Sequence, residues 1–247
     1  MEKPKNITTN DWKLLKAKYS NLKRVVKKLS KNYPVQYLIG NVNFYGYIIN
    51  VNKNVLIPRF ETETLVEKTI EYIKKLNLTN KSLLDLGTGS GCISIVLKKE
   101  LENLNVSSLD ISRKALRVAK KNAKQNKANI TFIHEDIFKF KPVNKYDILI
   151  SNPPYITETD EVDDSIKYEP KNAIYAEDLG LKYYKHILST CKSYLNKKNL
   201  IAFEIGDKQG KIVKDLAKKN FPKAKITVEK DLTGKDRYLF IINEKKN

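Results

Sequence analysis

The stretch Ser82-Leu83-Leu84-Asp85-Leu86-Gly87-Thr88-Gly89-Ser90-Gly91 decides the fold, because a short apolar strand runs directly into a glycine-rich turn. An apolar helix over residues 92–101 is predicted to follow it. Glycines permit tight turning and let backbone N–H groups approach a ligand, while a helix N-terminus favours a negative group. A dinucleotide-binding fingerprint needs a third glycine at position 92, where this chain has Cys92. The spacing therefore suits the carboxylate of an amino-acid-like cofactor better than a pyrophosphate.

Strands and helices alternate through the rest of the chain. Beyond the strand at 82–85, the predicted strands are Val106–Leu109, Ile130–Ile133, Tyr146–Ser151, Leu200–Ile205, Ala224–Val228 and Tyr238–Asn243. The further predicted helices are one capped by Ser112 that runs to Gln125, then Leu181–Leu195 and Lys208–Lys219. This alternation predicts an α/β fold with an open, mostly parallel seven-stranded sheet and helices on both faces. The last two strands are predicted to form a hairpin at one edge.

The first sixty residues follow a different pattern. Apolar residues from Trp12 to Leu29 recur at spacings of three and four, which predicts a helix capped by Asn10 or Asp11 and broken at Ser20-Asn21. Aromatic and β-branched residues around glycines then predict a small β-hairpin, followed by a helix over residues 61–76. We therefore divide the chain into a small helical segment, a hairpin linker and a main α/β domain, at residues 1–32, 33–60 and 61–247.

The run Asn152-Pro153-Pro154-Tyr155 closes the predicted strand at 146–151. The Asn152 side chain offers an acceptor oxygen, and the two prolines stiffen a turn in which Pro153 presents a bare carbonyl. Tyr155 supplies a flat face for a planar group. These four candidate catalytic residues can hold a planar –NH₂ group between the Asn152 oxygen and the Pro153 carbonyl. The alternative interpretation is a proline-rich turn that ends a buried strand.

Acidic residues follow two further strands in register with the glycine loop. Asp110 ends the second strand, where a carboxylate can accept hydrogen bonds from both hydroxyls of a ribose. Asp136 ends the third, where it can accept an exocyclic adenine amine while Ile137 covers the ring. The pattern predicts an S-adenosylmethionine site made of Asp85, Gly87, Thr88, Gly89, Ser90, Gly91, Asp110, Asp136, Ile137 and Asn152. This arrangement resembles the Rossmann-like class I methyltransferase fold, in which the Asn-Pro-Pro-Tyr run faces the methyl sulfonium.

The composition is that of a globular protein with a formal net charge of +19. The excess is mostly lysine and arginine is scarce, so we expect no stable nucleic-acid partner, although transient RNA proximity suits the charge. No apolar stretch approaches the ~20 residues that span a bilayer, and the first residues lack the features of a secretory or organelle signal. Two cysteines, Cys92 and Cys191, are too few for a disulfide framework or a zinc cluster. We expect a cytoplasmic monomer with no metal and no membrane partner.

The two histidines and an acidic stretch lie outside the predicted site. His134 near a strand end and His186 in a helix are interpreted as structural, because the chemistry expected at the Asn-Pro-Pro-Tyr run needs no strong base. The acidic stretch at residues 158–164 follows that run directly. It is either a mobile flap over a substrate or a solvated loop.

Several spaced motifs accompany the Asn-Pro-Pro-Tyr run in order. They are Pro34-Val35-Gln36-Tyr37-Leu38-Ile39-Gly40, Phe44-Tyr45, Leu56-Ile57-Pro58-Arg59-Phe60-Glu61-Thr62-Glu63, Tyr168-Glu169-Pro170, Gly180-Leu181 with Tyr184, Glu204-Ile205-Gly206 with Gln209-Gly210, and Asp231-Leu232-Thr233-Gly234-Lys235-Asp236-Arg237. Together they closely resemble the bacterial PrmC/HemK family of release-factor glutamine methyltransferases over roughly residues 33–243. The chain departs from the family pattern at Phe60, usually a second proline, at Ala176-Glu177, usually two glycines, and at Ile137, often aromatic. Its helical N-terminal segment is short against the family's helical bundle.

The resemblance implies transfer of a methyl group from S-adenosylmethionine to a glutamine side-chain amide nitrogen. That glutamine is the one in the Gly-Gly-Gln loop of peptide-chain release factors, and residues 1–32 are then a substrate-docking segment. One alternative is methylation of the adenine N6 or guanine N2 amine in RNA or DNA, since such enzymes share the tetrapeptide. Another is a cofactor-binding, RNA-associated module without catalysis, against which the intact Asn152 and glycine loop argue.

Overall fold

The computed structural model describes residues 2–5 and 7–244. The α-helices are α1 (Thr9–Lys18), α2 (Leu22–Leu29), α3 (Val35–Ile39), α4 (Phe60–Lys75), α5 (Cys92–Glu100), α6 (Arg113–Gln125), α7 (Lys182–Thr190) and α8 (Gly210–Asn220). The β-strands are β1 (Asn41–Phe44), β2 (Tyr47–Asn50), β3 (Ser82–Leu86), β4 (Asn105–Asp110), β5 (Thr131–His134), β6 (Tyr146–Ser151), β7 (Leu195–Glu204), β8 (Lys225–Lys230) and β9 (Asp236–Asn243). Residues 1 and 6 of the predicted first segment, and residues 245–247 of the predicted main domain, lie outside the described residues. No helix in the described part of the chain is long and apolar enough to cross a membrane.

Seven of the described strands form one sheet in the order β5-β4-β3-β6-β7-β9-β8. Neighbouring strands are parallel from β5 through β7, whereas β9 is antiparallel to both β7 and β8. The predicted mostly parallel, seven-stranded α/β sheet is thus confirmed. The predicted edge hairpin is also confirmed: β8 and β9 pair antiparallel at one end of the sheet, with β8 outermost and β9 between β7 and β8. The continuous buried run Tyr238–Ile242 explains the inner position of β9.

Successive strand residues alternate between two cores, one on each face of the sheet. Leu83, Ile148 and Leu200 pack into the core that also contains residues of α4, α5 and α6. Their neighbours Leu84 and Leu149 pack into the core beneath α7 and α8. A strand buried on both faces reads as a continuous apolar run, which is why these strands are recognisable in the sequence.

The N-terminal segment consists of two helices, as the predicted break at Ser20-Asn21 implies. Asn21 caps α2, accepting a hydrogen bond from the Arg24 amide at 3.3 Å. The predicted cap of α1 is wrong: its N-cap is Thr8, whose hydroxyl oxygen accepts from the Asp11 amide at 3.0 Å. Thr8 is favoured because a cap must precede the first helical residue by one position and reach the amide three residues on.

Several predicted boundaries are also corrected by the structure. Pro34 is the N-cap of the short helix α3, which the sequence pattern had not indicated. The helix predicted to reach Leu195 ends at Thr190, passes through a 3₁₀ turn at Cys191–Ser193, and Leu195 begins β7. β7 is therefore longer than predicted and ends at Glu204. Further short 3₁₀ helices lie at Asp164–Tyr168 and Lys171–Ala173.

Candidate active site

A cavity of about 330 Å³ opens at the carboxyl ends of β3, β4 and β6, where open α/β sheets bind ligands. Its volume lies within the ~300–1,000 Å³ typical of small-molecule sites. The predicted site residues that line it are Gly87, Gly89, Asp110, Asp136, Ile137, Asn152, Pro153 and Pro154. Asp85, Thr88, Ser90, Gly91 and Tyr155 do not line it. The predicted site therefore contains two groups of residues, those that line the cavity and those that do not.

The glycine loop forms one wall of this cavity. Gly87 has a φ of 77°, in the left-handed region, and a Cβ built there would meet no atom within 4 Å. Gly87 thus leaves open space at the wall, which suits a ligand that approaches the backbone closely. The amide of Gly89 donates to the Asp110 carboxylate at 2.8 Å, which fixes the loop to the end of β4.

Asp85 supports the loop from behind. Its Oδ2 accepts hydrogen bonds from the hydroxyls of Thr88 at 2.7 Å and Ser94 at 2.6 Å. The side chain is fully buried, and Oδ1 has no hydrogen-bond partner among the described residues. Burial raises the pKa of this carboxyl to about 6, although the two hydroxyl donors favour its ionised form. Ser90 is also buried, and its carbonyl accepts from the Asn122 side chain at 2.9 Å.

Asp110 is the acidic group on the cavity wall. One carboxylate oxygen accepts from Gly89, and the other accepts from the Ser112 amide at 2.8 Å. Each oxygen keeps a further lone pair for a ligand hydroxyl. Burial raises the pKa of this carboxyl, and the two backbone donors act in the opposite direction. Asp110 ends β4 as predicted, so its side chain lies at the carboxyl edge of the sheet beside the glycine loop.

Asp136 also lines the cavity, although its predicted place at a strand end is wrong. β5 ends at His134, and Asp136 lies in the turn that follows, accepting from the Phe138 amide at 2.9 Å. An apolar wall beside it is formed by Ile137, Phe138 and Tyr183. The ring centroids of Phe138 and Tyr183 are 5.4 Å apart. The role of Tyr183 was missed, because α7 reaches the cavity only through tertiary packing.

The Asn-Pro-Pro-Tyr run leaves β6 at the same edge of the sheet. The Asn152 side-chain nitrogen donates to the Thr62 hydroxyl at 3.1 Å. Neither the Asn152 side-chain oxygen nor the Pro153 carbonyl makes a hydrogen bond within the described residues. The Tyr155 hydroxyl donates to Glu204 at 3.2 Å, and the Tyr155 carbonyl accepts from Gln209 at 3.1 Å. The Asn152 nitrogen and Tyr155 therefore fix the turn by hydrogen bonds, while the Asn152 oxygen and the Pro153 carbonyl stay available as acceptors.

A second, smaller pocket of about 70 Å³ adjoins this turn. Asn152, Pro153 and Pro154 line both spaces, so they form a shared wall. The smaller pocket is also lined by Leu56, Arg59, Tyr155, Ile156, Ile166, Ala173, Ile174 and Glu204. Tyr155 thus belongs to the smaller pocket and not to the larger cavity.

Arg59 and Glu169 were missed as site residues because they lie 110 residues apart and meet only in the fold. Their side chains form an ion pair, and Glu169 is almost fully buried. The second carboxylate oxygen of Glu169 accepts from the Ile57 amide at 2.8 Å. The pair therefore holds the chain before α4 against the segment that covers the smaller pocket. Glu204 could have been found from the sequence, because it is a charged residue directly after the buried run 200–203.

The histidines contact backbone carbonyl groups of other segments, and the acidic stretch contacts both its own backbone and Asn32, whose side-chain nitrogen donates to Asp164 at 3.2 Å. His134 and His186 each place Nε2 within 3.0 Å of a backbone carbonyl oxygen, those of Ile111 and Ile137 respectively. In the acidic stretch, Asp163 accepts from the Ser165 amide at 2.7 Å and caps a 3₁₀ helix. This hydrogen bonding lowers the pKa of Asp163. This cap is consistent with the interpretation of the stretch as a solvated loop. The interpretation as a mobile flap stays a hypothesis.

Comparison with known proteins finds a matching family model and similar curated relatives. A family described as "Methyltransferase small domain" matches residues 62–169. A curated release factor glutamine methyltransferase from Bacillus anthracis is 41% identical over 221 residues, covering 87% of this chain and 78% of the relative. The Lactococcus lactis relative of the same name is 41% identical over 223 residues, covering 89% and 81%. The Bacillus subtilis relative is 39% identical over 244 residues, covering 96% and 85%.

Solved structures agree on the fold. A methyltransferase from Pyrococcus furiosus aligns with a TM-score of 0.58 at 16% identity, covering 90% of this chain and 99% of that one. A release-factor-specific protein-glutamine methyltransferase from Alicyclobacillus acidocaldarius aligns with a TM-score of 0.50 at 23% identity, covering 79% and 99%. These likenesses show a class I methyltransferase fold. Identity to the curated relatives over most of both chains shows more: this chain belongs to the release factor glutamine methyltransferase family.

Proposed function

We propose that this protein transfers a methyl group from S-adenosylmethionine to the side-chain amide nitrogen of a glutamine in a peptide-chain release factor. The observation that carries the proposal is the pair of unbonded acceptors, the Asn152 side-chain oxygen and the Pro153 carbonyl, on the wall between two pockets. A primary amide has two N–H donors on one nitrogen, and these two acceptors match them. The larger cavity then takes the cofactor and the smaller one the acceptor side chain.

The larger cavity has the chemistry that S-adenosylmethionine requires. Asp110 offers carboxylate lone pairs for ribose hydroxyls, and Gly87 leaves room for a ligand beside the loop. Asp136 lines the same cavity and offers carboxylate oxygens to an exocyclic amine, and Ile137 with Phe138 offers an apolar wall to a ring. When bound, the cofactor supplies an electrophilic methyl group on a sulfonium. Asp85, Thr88 and Ser90 act from behind by holding the loop in shape.

The residues of the turn address the weakness of an amide nitrogen as a nucleophile. Its lone pair is delocalised into the neighbouring carbonyl, so the nitrogen is a poor nucleophile. Positive charge develops on the nitrogen as it bonds to the methyl group. Two acceptor oxygens at Asn152 and Pro153 orient the nitrogen and stabilise that charge. The stiff prolines keep both oxygens in place without reorganisation. Holding the nitrogen in line with the methyl group supplies a further part of the acceleration.

The relatives' names support release factors as the substrate class. Each curated relative above is named a release factor glutamine methyltransferase, and the chain covers more than three quarters of each one's length. We propose the glutamine of the Gly-Gly-Gln loop as the acceptor and residues 1–32 as a docking segment for the release factor. We further propose that the protein acts as a monomer in the cytoplasm.

The proposal is tested by offering alternative acceptors to the same enzyme. The protein is incubated with methyl-labelled S-adenosylmethionine and either a purified release factor, ribosomal RNA or duplex DNA. Label is expected on the release factor alone. Label on RNA or DNA, with none on the release factor, would favour base-amine methylation and overturn the proposal.

A further inference from the structure

One buried carboxylate is connected to both polar side chains of the Asn-Pro-Pro-Tyr turn. Glu204, the last residue of β7, is only 2% exposed. Its Oε1 accepts the Tyr155 hydroxyl at 3.2 Å, and its Oε2 accepts the Thr62 hydroxyl at 2.7 Å. The same Thr62 oxygen accepts the Asn152 side-chain N–H at 3.1 Å. Asn152 is therefore linked to Glu204 through one threonine.

The direction of these hydrogen bonds follows from the donors available. An ionised carboxylate can only accept, so the single proton of the Thr62 hydroxyl is directed to Glu204. Thr62 then faces Asn152 with lone pairs only, and the amide must present its NH₂ group to Thr62. The Asn152 oxygen is consequently the atom left for the acceptor side chain. Burial raises the pKa of Glu204, whereas hydrogen bonds from Thr62 and Tyr155 and the Arg237 charge favour its ionised form.

The opposite orientation of Asn152 has a clear chemical cost. A flipped amide would present its NH₂ group to the NH₂ group of the incoming glutamine, placing donor against donor. It would also leave the Asn152 oxygen facing a Thr62 oxygen that has no second proton to give. For an asparagine with no such partner, hydrogen bonding gives no comparable preference between the two orientations, because the two ends of the amide have nearly the same shape.

We propose that Thr62 and Glu204 are positioning residues that hold the Asn152 amide in its productive orientation, with the oxygen toward the substrate amide. This inference rests on the proposed function, because orientation matters only if an amide or amine is the acceptor. Thr62 suits the role because its β-branched side chain in the first turn of α4 has little rotamer freedom. The bond from Tyr155 to the same carboxylate holds the other end of the turn.

The test compares three single variants with the intact protein. Thr62→Val keeps the shape of the side chain but removes the hydroxyl, and Thr62→Ser keeps the hydroxyl. Thr69→Val is the matched control, because Thr69 is equally buried on α4 and its hydroxyl donates only to Leu65 of the same helix, at 2.6 Å. For each protein, kcat and KM for a release factor are measured together with the dissociation constant of S-adenosylmethionine.

Thr62→Val is expected to lower kcat about tenfold or more, the order of one lost hydrogen bond, with cofactor affinity within about twofold of the intact protein. Thr62→Ser should recover most of kcat, and Thr69→Val should leave it unchanged. Equal kcat in Thr62→Val and the intact protein, or equal losses in Thr62→Val and Thr69→Val, would overturn the inference. These outcomes are distinct from failure of the proposed function, in which the intact protein itself leaves the release factor unlabelled.

Should Thr62→Val fail to fold, Glu204→Gln decides the matter. A glutamine at this position can present either an oxygen or an NH₂ group to Thr62, so the direction of the hydrogen bonds is no longer enforced. A several-fold lower kcat with unchanged cofactor affinity is expected. Full kcat in Glu204→Gln would contradict the positioning role.

Discussion

At the residue scale, the important property of Asn152 is that only one end of its side-chain amide is hydrogen-bonded. Its nitrogen is held by Thr62, whereas its oxygen makes no hydrogen bond within the described residues. Asn152→Ala removes the free oxygen, so we expect kcat to fall ~100-fold or more, as for loss of one group that stabilises developing charge. Calorimetric titration with S-adenosylmethionine should show an affinity close to that of the intact protein. Substantial remaining turnover would refute the role of the Asn152 oxygen.

Asp85 is a second residue whose surroundings have a measurable consequence. Its pKa is raised from 3.8 to about 6 by burial, so the folded protein keeps this proton at pH values where the unfolded chain has lost it. The folded state therefore binds more protons than the unfolded state across that window, and stability from this group falls as pH rises through it. Protonation at the acidic end of the window relieves the cost of the buried charge.

A comparison with Asp85→Asn, which cannot titrate, isolates this effect. Two pKa units correspond to ~3 kcal/mol, so the intact protein should lose up to that amount relative to the variant between about pH 4 and pH 7. Urea unfolding of both cofactor-free proteins at several pH values measures the difference. A free-energy difference that does not change with pH would show that Asp85 is not perturbed in this way.

How much of the site the sequence could reveal depends on how each residue reaches it. Asp110 and Asn152 were predictable because the carboxyl ends of parallel strands meet at one edge of a sheet. Asp136 reaches the same cavity from a turn, so its strand assignment was wrong although its neighbourhood was not. Thr62 and Tyr183 belong to helices whose packing on the sheet decides their place, and no local pattern contains that information.

At the element scale, two glycines of the same loop have different tasks. Both Gly87 and Gly91 have positive φ, but a Cβ at Gly91 would lie 3.1 Å from the Cβ of Ala119 on α6. A Cβ at Gly87 would meet nothing within 4 Å and would enter the cavity. One glycine thus permits close packing of two elements, and the other leaves room for a ligand.

Alanine substitutions should separate these tasks. Gly91→Ala is expected to destabilise the protein by at least ~2 kcal/mol, from backbone strain together with overpacking against α6. Gly87→Ala should cost only the strain, ~1 kcal/mol, yet weaken binding of S-adenosylmethionine. Gly46→Ala, at a positive φ of 82° with nothing within 4 Å and away from the cavity, is the control for strain alone. Equal stability losses at Gly91 and Gly46 would contradict the packing role.

Element boundaries show where sequence patterns lose information. Helix α6 was predicted correctly from Ser112 to Gln125 because its cap and its apolar spacing agree. The region from Thr190 to Leu195 was not, since a helix, a 3₁₀ turn and a strand follow one another without a glycine or proline between them. A short apolar run fits either a helix or a strand, and only pairing with β6 and β9 decides in favour of the strand.

At the scale of the whole molecule, the N-terminal helices have a small core of their own. Ile7, Trp12, Leu15, Val25 and Leu29 pack with Leu38 in a cluster distinct from the two cores on the faces of the sheet. Trp12 is the only tryptophan in the chain, so its fluorescence reports on this small core alone. A core of this size buries little apolar surface, and we expect it to unfold before the sheet.

Denaturant unfolding followed by two probes checks this expectation. Trp12 fluorescence should change at a lower urea concentration than the far-ultraviolet circular dichroism of the whole chain. Leu15→Ala should lower the fluorescence midpoint alone, whereas Leu188→Ala, in the core beneath α7, should lower the circular dichroism midpoint. Coincident transitions in the intact protein would instead show a single cooperative unit.

The central claim is that a glutamine amide in a release factor receives the methyl group. The most direct measurement uses two release factors that differ only in replacement of the Gly-Gly-Gln glutamine by glutamate, each incubated with the protein and methyl-labelled S-adenosylmethionine. Label is predicted on the unmodified release factor and absent from the glutamate variant, with tandem mass spectrometry locating one added methyl group on the glutamine side chain. Equal labelling of both release factors, or label on another residue, would contradict the account.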